Sequence, residues 1–201
     1  MVHCRLLMIV CLGALALAGC ASAVEPTPTP TSTPEPSPTP ILHQQITYLA
    51  SRLQAGFKLS LPQDWHYRVS ETGLMLANDP VALEGSDMLT DTVVADLSLR
   101  TPAEALAYGV RNAAGVLDVF VGRSPEDTSE SLYSAVELLE IAERDSAQLA
   151  ATIADNDTLL LAMALEDHYL LAVVVSPTGK MQELAADLSG IFASTQLLPA
   201  Q

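Results

Sequence analysis

The run QLAATIADNDTLLLAMALEDHYLLAVVV, residues 148–175, sets three strand-length apolar segments around two short polar breaks, Asp155-Asn156-Asp157 and Glu166-Asp167. Breaks this short leave room only for hairpins, so the run predicts an antiparallel meander. The second and third segments are apolar at nearly every residue. A strand without alternation is buried on both faces and needs cover on both. Any fold built on this run therefore has layers above and below the sheet, and helices are the available cover. One continuous buried helix over 158–175 is the alternative, and the acidic turn residues oppose it.

Other segments supply further strands and the helices. In GFKLSLPQDW, Phe57, Leu59 and Leu61 alternate with Lys58 and Ser60, the period of a half-buried strand that ends at Pro62. HYRVS and GLMLAND follow as a hairpin about Glu71-Thr72-Gly73, and TVVADLSLR is another strand. TPAE starts a helix, with Thr101 as N-cap, Pro102 at the first helical position and Glu104 closing a capping box. SPED repeats the arrangement with Ser124, Pro125 and Asp127. Leu106, Val110 and Ala113 share a face of the first helix; Leu132, Ala135, Val136, Leu139 and Ala142 share a face of the second. Between them VLDVFVG reads as a short strand. SPTG then breaks the chain, and Met181, Leu184, Ala185, Leu188, Ile191 and Phe192 line one face of a closing helix over Lys180–Ser194.

The N-terminal 44 residues have a different character. Leu6 to Ala18 is an uncharged apolar run behind Arg5. It is short of the about 20 residues of a membrane span and suits a secretory signal, whose apolar region is about 7–15 residues. Leu17-Ala18-Gly19-Cys20 resembles the bacterial lipobox, which implies lipid on the Cys20 thiol and cleavage just before it. The chain has three cysteines, Cys4, Cys11 and Cys20. Two leave with such a signal and the third is acylated, so the remaining domain has no thiol for a disulfide, a metal or catalysis. From Glu25 to Pro40 the sequence EPTPTPTSTPEPSPTP lacks any large apolar residue. Its prolines favour an extended, semi-rigid stalk of about 50 Å, at about 3.1 Å per residue. The predicted organisation is a signal peptide at 1–19, a lipidated Cys20 with a disordered Pro/Thr stalk over 20–44, and one domain over 45–201.

A first strand running into LSLPQDW, the hairpin HYRVSETGLMLAND, helices in mid-chain, a late meander and the terminal IFASTQL together resemble the PsbP-like proteins. The Pro62-x-x-Trp65 element and IFAST carry the likeness over about residues 45–198. It implies an α+β fold, an antiparallel β-sheet sandwiched by α-helices. It also implies a binding or assembly role without shared catalytic residues. Residues 80–130 depart most from the family pattern, and nothing in the chain points to a photosystem.

Charge and motif content narrow the function. The formal net charge is −15, and loss of residues 1–19 removes Arg5 and no acid, deepening it by one. That disfavours nucleic acid, which needs clustered Lys and Arg, and anionic lipid headgroups. The chain contains no G-x-S-x-G elbow, phosphate loop or H-E-x-x-H. Its four histidines, His3, His43, His66 and His168, share no ligand spacing, so no metal or other cofactor is expected. The acids of DNDTLLLAMALE fit positions 1, 3 and 12 of an EF-hand, yet Leu159 and Leu160 stand where an oxygen ligand and a glycine are required. Trp65 and Tyr67 are two of few aromatics. Trp65 reads as a packing residue, and an exposed Trp65/Tyr67 platform for a ligand or partner is the alternative. The expected function is a lipid-anchored, extracytoplasmic, non-catalytic binding or assembly module, held on the cell membrane by its lipid and meeting an envelope protein or a small ligand. An envelope hydrolase using carboxylates and a structural spacer are the competing readings.

Overall fold

The computed structural model describes residues 42–50, 53, 55–85, 91–122 and 132–198. Cys4, Cys11, Cys20, the stalk up to residue 41 and the SPED segment with Ser124, Pro125 and Asp127 lie outside them; residues 42–44, expected as the end of the stalk, begin the strand Leu42–Ala50.

The predicted meander is present. β7 (Arg144–Ile153), β8 (Asn156–Leu165) and β9 (His168–Pro177) pair antiparallel through two-residue turns, with Leu149 opposite Leu160 and Leu161 opposite Ala172. They form the centre of a seven-stranded sheet in the order β3-β4-β5-β9-β8-β7-β6. β3 (His66–Val69) and β4 (Leu74–Ala77) are the predicted hairpin, and β5 (Val94–Arg100) joins it to β9. A second sheet of three strands has β2 (Ala55–Pro62) between β1 (Leu42–Ala50) and β10 (Gln196–Leu198). Tyr48 and Phe57 face each other across β1 and β2 with ring centroids 5.1 Å apart.

Strand alternation sends side chains to both faces of the large sheet, and each face is covered. On one face Leu97, Leu161, Met163 and Ala172 pack against Leu59 and Leu61 of β2 and against Leu188, Ile191 and Phe192 of α4 (Ala185–Ser194). On the other face Leu149, Leu160, Ala162 and Leu171 pack against Ala113, Val116 and Leu117 of α2 (Ala113–Phe120). The molecule is α+β, an antiparallel sheet with helices on both sides, as the doubly apolar strands require. Each leucine so enclosed contributes about 1.5–3 kcal/mol.

Five local expectations change. The first helix, expected to run on through Val110 and Ala113, ends at Ala107; Tyr108 and Gly109 (φ +73°) close it, and Ala113 opens the next helix. VLDVFVG, expected as a strand, is most of α2. Asn112 caps it by accepting the Gly115 N–H at 2.8 Å, and Asp145 of β7 accepts the Ala113 N–H at 2.9 Å, so capping overrides the β-branched valines. The helix expected through Leu139 and Ala142 is instead β6 (Glu137–Ile141), an edge strand paired to β7 through an Ala142-Glu143 turn. The closing helix is broken at Leu184 into α3 (Lys180–Glu183) and α4; Leu188, Ile191 and Phe192 are buried as expected, whereas Ala185 is exposed. Gly73 does not supply a left-handed turn; a Cβ there would collide with the Leu97 carbonyl oxygen of the neighbouring strand. The turn itself is held by Ser70, whose Oγ accepts the Thr72 and Gly73 N–H groups. A short 3-10 helix, Pro80–Glu84, follows β4 and covers Met75, Ala77 and Val94.

Candidate functional site

The end of β5 and the two helices after it enclose the candidate site. Thr101 stops the strand and starts α1 (Pro102–Ala107): its Oγ1 accepts the Glu104 N–H at 3.1 Å, and Glu104 Oε2 accepts the Thr101 N–H at 2.9 Å. This is the capping box expected from TPAE. Tyr108 ends α1, Gly109 follows with φ +73°, and the chain turns through Val110 into α2. The Asp145–Ala113 hydrogen bond pins the start of α2 to the sheet.

Between α1, α2 and the sheet lies a cavity of about 250 Å³. Leu171 of β9 forms its floor. Ala105, Val110, Val116 and Val119 form apolar walls, with Tyr108 and Phe120 beside them. The rim is apolar as well as open: Tyr108 is 71% exposed, Phe120 44% and Val119 40%, and Leu106 stands out from α1 nearby at 67%. Large apolar groups gathered at a cavity mouth are the usual mark of a binding surface rather than of scattered exposure.

Two charged side chains reach this cavity, Arg100 and Glu104. Glu104 Oε2 is committed to the cap, accepting from both the Thr101 N–H and hydroxyl, whereas Oε1 carries no hydrogen bond among the described residues. Arg100 is half-buried, and among the described residues its guanidinium makes no hydrogen bond or ion pair within 4.0 Å. It stands on the same face of β5 as Asp96. Burial raises the Asp96 carboxyl above its ordinary range, and the Arg100 charge pulls the other way. Tyr169, opposite Arg100 on β9, has its phenol pushed up by burial and by the negative charge of Asp145.

The residues singled out from sequence lie elsewhere. Trp65 is 1% exposed in the core on the opposite face of the sheet, and its Nε1 donates to Asp187 Oδ2 of α4 at 3.2 Å. It packs and presents no open ring. Tyr67 is exposed on the edge strand β3, so the two do not form a platform, and neither lines the cavity. Cys20 lies outside the described residues. His66 is exposed on β3, and His168 Nδ1 contacts Asp167 Oδ1 at 2.6 Å in the β8–β9 turn. Among the described residues no three His, Cys, Asp or Glu side chains gather closely enough to hold a metal ion. Asp157 of the rejected calcium motif accepts from Thr152 Oγ1 and the Gly179 N–H, tying the turn together.

Arg100, Tyr108, Val116 and Phe120 were not legible as site residues. The TPAE cap places α1 directly after Arg100 and so could have marked it. Reading VLDVFVG as a strand concealed Val116 and Phe120, and the Asn112 cap was the overlooked signal.

No protein-family model matches the chain, and no curated protein matches it. Solved structures do. A Bacteroides thetaiotaomicron protein aligns with TM-score 0.46 and 14% identity over 75% of this chain, which spans 47% of that one, about half its length. LpqN of Mycobacterium tuberculosis, described as involved in cell envelope biogenesis, aligns with TM-score 0.44 and 16% identity, over 78% of this chain and 91% of its own. Cyanobacterial PsbP from Synechocystis aligns with TM-score 0.40 and 10% identity, over 77% and 92%. Likenesses at this level carry no argument about role.

Proposed function

We propose that this protein is a lipid-anchored, extracytoplasmic binding module and that the α1–α2 cavity is its ligand site. The observation that carries the reading is the open apolar cavity with a rim of exposed Tyr108, Val119 and Phe120. Leaving such groups in water forgoes about 25 cal/mol per Å² that a ligand would recover by covering them. The anchor rests on the short apolar leader and the Leu17-Ala18-Gly19-Cys20 motif. Two acyl chains would hold the protein firmly, each buried methylene contributing about 0.8 kcal/mol. Among the described residues no helix is long and apolar enough to cross a membrane. A carboxylate hydrolase needs two convergent acids in a cleft; this cavity is lined by one, Glu104, and that one caps a helix.

Site-specific photocrosslinking in the native cell tests the assignment. Tyr108 or Tyr67 is replaced by p-benzoylphenylalanine and the cells are irradiated. Adducts are expected at position 108 and not at 67. Adducts confined to position 67 would move the binding surface to the β3 edge and overturn the assignment.

A further inference from the structure

The polar groups of the cavity point to the chemistry of its ligand. We propose, resting on the binding reading above, that the cavity takes a small uncharged amphiphile. Its apolar body would lie on Leu171, Val116 and Phe120, and its neutral head would accept a hydrogen bond from Arg100 and donate one to Glu104.

The argument is one of matching. Arg100 brings five N–H donors in a fixed fork, and none has a protein partner among the described residues. Glu104 Oε1 brings an acceptor in the same condition, because the cap uses Oε2. The two formal charges on the cavity wall sum to zero. A carboxylate head would pair with Arg100 but meet the charges of Glu104 and of Asp96 beyond it, in a chain of net charge −15. An ammonium head would pair with Glu104 and leave the guanidinium covered and unpaired. A carboxylate faces the like charge of Glu104, and an ammonium leaves the half-buried Arg100 covered without a partner, so neither ion satisfies both walls. A head that both accepts and donates, such as an amide or a hydroxyl, satisfies both walls. The volume, about 250 Å³, lies below the range usual for drug-sized ligands, so the body is small: one aromatic ring or a short chain.

Three probes with one body separate the cases: para-propylbenzamide, para-propylbenzoate and para-propylbenzylammonium. They are titrated calorimetrically into the full chain held in lipid nanodiscs, with empty nanodiscs as reference. The amide is expected to bind about tenfold or more tighter than either ion. Glu104→Gln, which keeps a side chain able to close the capping box, is expected to admit the benzoate and shrink that gap. Tighter binding of benzoate or ammonium, or equal binding of all three, overturns the ligand class while the cavity reading stands. Val116→Trp, which fills the cavity, is expected to abolish binding of the amide. Amide binding unchanged in that variant, or no binding of any probe to the wild-type chain, overturns the cavity reading itself.

Discussion

At the scale of single residues, the site depends on a few side chains that hold backbone in place. Thr101 satisfies the first turn of α1 and, through Glu104, fixes one wall of the cavity. Thr101→Ala is expected to cost about 1 kcal/mol, read as a lowered urea midpoint with unchanged slope. An unchanged midpoint would mean that the cap does not hold this wall. Asp96 offers a test with a sign. Burial raises its folded carboxyl above the ordinary range, so the folded state binds more protons than the unfolded state between the two values. Stability attributable to this group therefore falls as pH rises through that window. Asp96→Asn is expected to melt slightly higher than wild type at neutral pH. The advantage should vanish as pH falls below about 4, the ordinary carboxylate value. The gain is small because the carboxylate keeps solvent access. An advantage that grows toward low pH would contradict the assignment. Among aromatics, composition flagged Trp65 for its rarity, yet rarity says nothing of direction. Strand geometry and the Asp187 bond turn that ring into the core.

At the scale of elements, legibility followed the strength of local signals. The central strands β8 and β9 were readable because each is apolar on both faces, a pattern with few alternatives. The start of α1 was readable from its capping box. β6 was not, since Glu137-Leu138-Leu139-Glu140 has good helical propensity and its partner β7 decides its state. The turn that closes that hairpin gave no warning either. Ala142 and Glu143 have φ +51° and +61°, and Ala154 and Asp155 in the β7–β8 turn have φ +48° and +66°. Two-residue turns of this hand normally use asparagine, aspartate or glycine; the Ala142-Glu143 turn has none of them, and the β7–β8 turn has Asp155 alone. Holding alanine in the left-handed region costs about 1–2 kcal/mol. Ala142→Gly and Ala154→Gly are each expected to stabilise the domain by about 0.5–1 kcal/mol, read by thermal unfolding. Destabilisation by either would show that its turn is not strained in this way.

At the scale of the whole molecule, the proposed anchor and spacer are read from the sequence before residue 42, and the folded domain follows them in the chain. The sheet is covered on both faces, and the cavity lies between two short helices on one of them. Topology explains why the site was hidden from sequence. Arg100 and Leu171 stand far apart in sequence, on strands that pair only in the fold. The proposed lipidation has its own test: Cys20→Ser is expected to move the protein from the membrane fraction to the soluble fraction. Retention of the variant in membranes would remove the anchor from the account. The cavity's role has its most direct test in intermolecular nuclear Overhauser effects between bound para-propylbenzamide and the isotopically labelled full chain. The account predicts cross-peaks to the Val116 and Val119 methyls and the Phe120 ring; cross-peaks confined to Tyr67 and Val69 would contradict it.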